Sequence, residues 1–132
     1  MYIFLHGHRL LRDIQEEFQS AYPYLKIEFL WKYKAREKSH PLESYQEDLL
    51  RLKDIAAIEH QEMICIEEDT TLHEIEQKLT KDFEVFIRFY HYTDSGWIPA
   101  GISAATFGEL NQQGRISFHQ QHNVSANPQH LL

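Results

Sequence analysis

Hydrophobic positions along this chain change period several times, and each change marks an element. The opening MYIFL places bulky residues on consecutive positions, so both faces of a strand are apolar and a central place in a sheet is expected. In HRLLRDIQEEFQSAY the spacing lengthens. Leu10 or Leu11, Ile14 and Phe18 share one helical face, with Arg9, Arg12, Glu16 and Gln19 elsewhere. That helix stops before Pro23, because the residue ahead of a proline is pushed out of helical conformation. LKIEFLWK then alternates. Leu25, Ile27, Phe29 and Trp31 point one way and Lys26, Glu28 and Lys32 the other, as in a strand with one face in the core.

YKAREKSHP, Tyr33 to Pro41, is a charged loop. Beyond it, Tyr45, Leu49, Leu52 and Ala56 return to helical spacing and predict a helix from about Glu43 to Ile58. EMICI reads as a short buried strand, with Cys65 as an inert core thiol, since its charged neighbours are acidic and disfavour a thiolate. Thr71 and Glu74 make a capping box that opens a helix with Leu72, Ile75 and Leu79 as its apolar stripe. Glu67, Glu68 and Asp69 precede it, where negative charge meets the positive end of a helix.

EVFIRFYHY alternates again, with Val85, Ile87, Phe89 and His91 on one face and Phe86, Arg88, Tyr90 and Tyr92 on the other. TDSG is turn chemistry, and WIPAGIS returns as the second arm of a hairpin. Pro99 cannot donate to a ladder, so this arm is an edge. A second capping box, Thr106 with Glu109, opens a short helix that Gly114 can close. From about Ser117 the chain loses periodicity and charge, which predicts a loosely ordered tail. The expected architecture is α+β, a single domain over 1–116 with the tail at 117–132. Helices pack on a mixed sheet of about five strands, in the order β-α-β-α-β-α-β-β-α.

Composition narrows the possible functions. The 132 residues carry a net charge of −7, which repels phosphate backbones and disfavours general nucleic-acid binding. The basic, ring-studded stretch WKYKAREK is the one local exception. A lone cysteine excludes an internal disulfide. MYIFL lacks a basic leader region, and no stretch has the roughly 20 apolar residues of a membrane span. A cytoplasmic location without membrane contact is the expectation.

Candidate chemistry is sparse. His6 and His8 flank Gly7, and residues two apart on a strand share a face, so both rings can reach one ligand. A metal site needs further ligands, and no second motif supplies them, so no metal is predicted. His8 near a helix start can also meet an anion, while Gly7 serves the turn from strand into helix. His119 and His122 fall in the tail. No nucleophile elbow, Walker motif or dinucleotide fingerprint is present, so the reading leans away from an enzyme and predicts no cofactor.

The outward face of the hairpin is the stronger candidate. Phe86, Arg88, Tyr90 and Tyr92, with Trp97 beside them, must find cover outside the core. Rings and arginine are enriched at protein interfaces. A second helix layer or another copy of the chain can supply that cover, and a homo-oligomer or another protein partner is the expectation at this surface. The alternative is a small-molecule or anion-binding protein, or a minor enzyme, using His6, His8, Arg88 and His91. The segment 71–114, with Thr71 to Glu74, Phe86, Arg88, Gly96, Trp97, Leu110 and Gly114, resembles a small family of uncharacterised bacterial proteins. Their aromatic-arginine strand reads more like V-F-R-K-S-G, whereas here Ile87 separates Phe86 from Arg88. The resemblance implies a compact α/β domain and no activity.

Overall fold

The computed structural model describes residues 1–31, 49–101 and 104–126, with side chains to 122. Its strands are β1 (Tyr2–Leu5), β2 (Leu25–Leu30), β3 (Glu62–Cys65), β4 (Phe86–Thr93) and β5 (Gly96–Pro99). Its helices are α1 (Leu11–Ala21), α2 (Leu72–Phe83) and α3 (Phe107–Ala126). The fold is α+β in the expected element order. Its strands form two antiparallel sheets, β1-β3 and β2-β4-β5, in place of one mixed sheet. Among the described residues, no helix is long and apolar enough to cross a membrane.

Periodicity placed most elements correctly. Helix α1 buries Leu11, Ile14 and Phe18, and α2 buries Leu72, Ile75, Leu79 and Phe83. Thr71 Oγ accepts the Glu74 amide at 3.2 Å, and Thr106 Oγ accepts the Glu109 amide at 3.1 Å. Each bond satisfies one amide of a helix's first turn. Both sheets turn their inner faces to one core, with Ile3, Leu5 and Ile64 from the first and Leu25, Ile27, Phe29 and Phe89 from the second. At one end of that core, Phe18, Tyr22, Phe89 and Phe107 form a ring cluster, with Phe89 edge-on to Phe107 at 5.3 Å.

Four expectations need correction. First, β1 is not central: among the described residues it pairs with β3 alone, and Tyr2 and Phe4 are exposed. Second, β3 is buried at Ile64 alone, and Cys65 is exposed. Side chains alternate along a strand, and nothing among the described residues covers the outer face of this ribbon. Third, the helix expected from Glu43 to Ile58 falls outside the described residues up to 48. Within them there is one 3-10 turn, Leu52–Asp54. Backbone pairing holds this stretch, with Leu52 N bonding Arg9 O at 2.8 Å and Lys53 N bonding Gly7 O at 2.9 Å. The close approach also explains Gly7, because a Cβ there would lie 3.1 Å from Lys53 Cβ.

Fourth, the chain does not become a loose tail at Ser117, and Gly114 ends no helix. Helix α3 continues through Ala126, with Gly114 buried inside it. Phe118 and Gln121, on its second half, reach the β2-β4-β5 sheet.

Candidate functional site

Alternation along β4 is as expected. Phe89 is buried in the core, while Arg88, Tyr90 and Tyr92 lie on the outer face, half-buried. Register brings Glu28 opposite Arg88, Lys26 opposite Tyr90, and Trp97 opposite Tyr92. Arg88 Nη1 donates to Tyr90 Oη at 3.1 Å, and the Tyr90 hydroxyl donates to Glu28 Oε1 at 3.2 Å. Arg88 also stands 3.6 Å from the same carboxylate. Lys26 Nζ sits 4.2 Å from the centre of the Trp97 ring, close enough for cation–π attraction. Phe86 occupies the far end of this face, opposite Leu30.

One ring of the predicted surface has cover from its own chain. Tyr92 packs on Phe118 of α3 at 5.8 Å, and Tyr24 on the same ring at 5.6 Å. The Tyr92 hydroxyl donates to Gln121 Oε1 at 2.7 Å, and Gln121 Nε2 donates to Asp94 O at 2.8 Å. The companion that Tyr92 needed is thus the half of α3 that the sequence pattern does not reveal. Phe86, Arg88, Tyr90 and Trp97 keep partial access to solvent.

The predicted histidines are dispersed. His6 and His8 occupy the turn leaving β1, with ring centres 6.5 Å apart. No group of three His, Cys, Asp or Glu side chains able to hold a metal occurs among the described residues. Arg88 and His91 lie on opposite faces of β4, three residues apart. His122 stacks on Phe118 at 3.8 Å, on the helix rather than in a tail.

His91 lies between Leu25 and Ile98 on the neighbouring strands, and burial lowers its pKa below the ordinary 6.5. The folded chain therefore favours neutral imidazole. As pH falls through about 6.5 the unfolded chain takes the proton first, so stability drops from there down to the lowered value. His91→Gln should show a smaller loss of stability than the parent between neutral pH and about pH 5, measured by urea titration. Equal losses would mean the ring is not desolvated as drawn.

A second feature was not legible in the sequence. An open groove of roughly 470 Å³ runs between α2 and the Leu30–Phe86 end of the sheet. His73, Glu76 and Lys81 line it over Phe86 and Ile87. Burial raises the Glu76 carboxyl pKa, opposed by the nearby His73. His73 Nδ1 is buried without a hydrogen-bond partner. These groups come together through helical spacing on α2, and a scan for motifs does not register them.

The β1-β3 ribbon is the third. Tyr2, Phe4 and Met63 are 60%, 46% and 52% exposed on one face, with the exposed Cys65 beside them. Compared with known proteins, the chain matches no family model, no curated protein and no solved structure.

Proposed function

We propose that this chain is a non-catalytic protein-interaction module that self-associates through the outer face of β2-β4-β5. The supporting observation is the fixed, half-exposed set of Arg88, Tyr90 and Trp97. Glu28 holds the first two and Lys26 caps the third. Side chains already ordered in the free protein lose less entropy on association. Tyr, Trp and Arg are also the residues that most often dominate interface energies.

Tyr92 now belongs to the monomer, so the contact centres on Tyr90 and includes Phe86 and Trp97. Sedimentation at micromolar concentration is expected to give twice the mass of the chain. Tyr90→Ala should weaken the association tenfold or more, about 1.4 kcal/mol. A single-chain mass for the parent protein at every concentration would remove this reading.

A further inference from the structure

Every sheet edge exposes backbone groups that can template another strand, and natural proteins block such edges. In an antiparallel ladder, residues whose N–H and C=O face the partner alternate with residues whose groups face away. The hydrogen bonds of this chain identify the outward-facing residues on each edge.

Of the four edges that the described strands present, three are blocked. On β2, Tyr92 N bonds Tyr24 O at 3.1 Å, which turns Leu25, Ile27 and Phe29 outward. Gln15 Nε2 from α1 then donates to Ile27 O at 3.1 Å. On β5, Ala100 N bonds Phe89 O at 2.9 Å, which turns Trp97 and Pro99 outward. Pro99 has no N–H to offer. On β1, Met1 and Ile66 exchange both bonds, which turns Tyr2 and Phe4 outward. Arg9 Nη1, held by Glu17 at 2.7 Å, donates to Phe4 O at 2.8 Å.

β3 is the exception. The same pairing turns the N–H and C=O of Met63 and Cys65 away from β1. Among the described residues, nothing bonds to these groups. β3 contains no proline, lysine or arginine, and its side chains on the open face are Met63 and Cys65, flush with Tyr2 and Phe4. Both ends are acidic and exposed, with Glu59 before the strand, Glu62 at its first position, and Glu67, Glu68 and Asp69 after it.

We propose that the free edge of β3 accepts an extended strand from another protein, with alternating apolar side chains and lysine or arginine at both ends. Main-chain bonds to Met63 and Cys65 supply the attachment, and apolar side chains extend the Tyr2–Phe4–Met63 face. The acids at both ends select basic flanks. The same acids argue against a second copy: β3 laid antiparallel on itself about Ile64 sets Glu62 of each chain opposite Ile66 of the other, one residue from Glu67 and two from Glu68. This site is separate from the hairpin surface.

The test uses the full chain and a synthetic peptide of alternating valine and threonine with two lysines at each end, followed by calorimetry and amide NMR. Binding is expected at low salt, weakening as salt rises, with the largest shifts at the Met63 and Cys65 amides. Met63→Pro removes one outward N–H without touching the β1 ladder and should weaken binding at least tenfold. Glu62→Lys with Glu67→Lys, which leaves the edge amides in place, should do the same. Tyr90→Ala should leave peptide binding unchanged. The proposal is overturned if the parent chain does not bind the peptide or if a glutamate-flanked peptide binds as tightly. It is also overturned if Met63→Pro splits a dimer of the parent chain, which would make a second copy the occupant.

Discussion

Phe107→Ala is expected to cost roughly 3–5 kcal/mol of folding stability, the range for removing a fully buried phenylalanine. Phe107 is 0% exposed and begins α3. Its ring meets Phe89 at 5.3 Å, Tyr22 at 5.5 Å and Phe18 at 5.9 Å. The first two of these partners come from β4 and from just beyond α1, so the ring ties the start of α3 to both. Backbone bonds at the same place, Phe107 N to Thr70 O at 3.0 Å and Leu72 N to Ala105 O at 3.2 Å, join it to the start of α2. A cavity here cannot close without moving all of these. Domains of this kind have about 5–15 kcal/mol in total, so the variant approaches the limit of stability. Thermal unfolding should shift down by roughly 10–20 °C. Phe107→Leu, which keeps most of the volume, should cost much less. A loss under about 1 kcal/mol for the alanine variant would mean that the ring cluster is not packed as described.

What the sequence disclosed and what it hid divide along a physical line. Helices α1 and α2, strand β2 and the β4-β5 hairpin each carry their own regular apolar stripe or capping residue, so local pattern sufficed. Helix α3 does not. Past Gly114 its one large buried-side ring is Phe118, amid Gln, His and Asn, and its helical state depends on contact with Tyr24 and Tyr92. Missing that half made the rings of β4 look more exposed than they are.

Cys65 was misjudged for a related reason. An apolar run such as MICI fits a strand covered on both faces, and only the two-stranded pairing leaves one face bare. The candidate site was partly visible. Alternation placed Arg88 and Tyr90 on one face, but the link to Glu28 is a matter of register between strands far apart in sequence. The open edge of β3 was invisible, since it depends on which pairs exchange bonds.

Gly114→Val is the sharpest check on α3, because two opposing effects act there. Replacing a helical glycine ordinarily helps a helix, by up to about 1 kcal/mol for alanine and less for a β-branched residue. Against that, a Cβ at Gly114 would lie 2.6 Å from Tyr24 Cβ and 3.3 Å from Tyr92 O. Neither neighbour can swing aside. Tyr24 Cβ is fixed to a backbone whose N–H bonds Asn111 Oδ1 at 2.9 Å and whose carbonyl accepts from Tyr92 N at 3.1 Å. The helix itself must move, loosening Phe118 from Tyr24 and Tyr92. Overpacking of this kind costs typically 1–3 kcal/mol, and the second methyl of valine adds to it, so the clash outweighs the propensity gain. A net loss of about 2 kcal/mol or more is expected by urea unfolding. Gln113→Ala, at the neighbouring exposed position, should change stability by no more than about 0.5 kcal/mol. If Gly114→Val were as stable as the parent, α3 could not cross the sheet at Tyr24, and Tyr92 would again be a ring without cover.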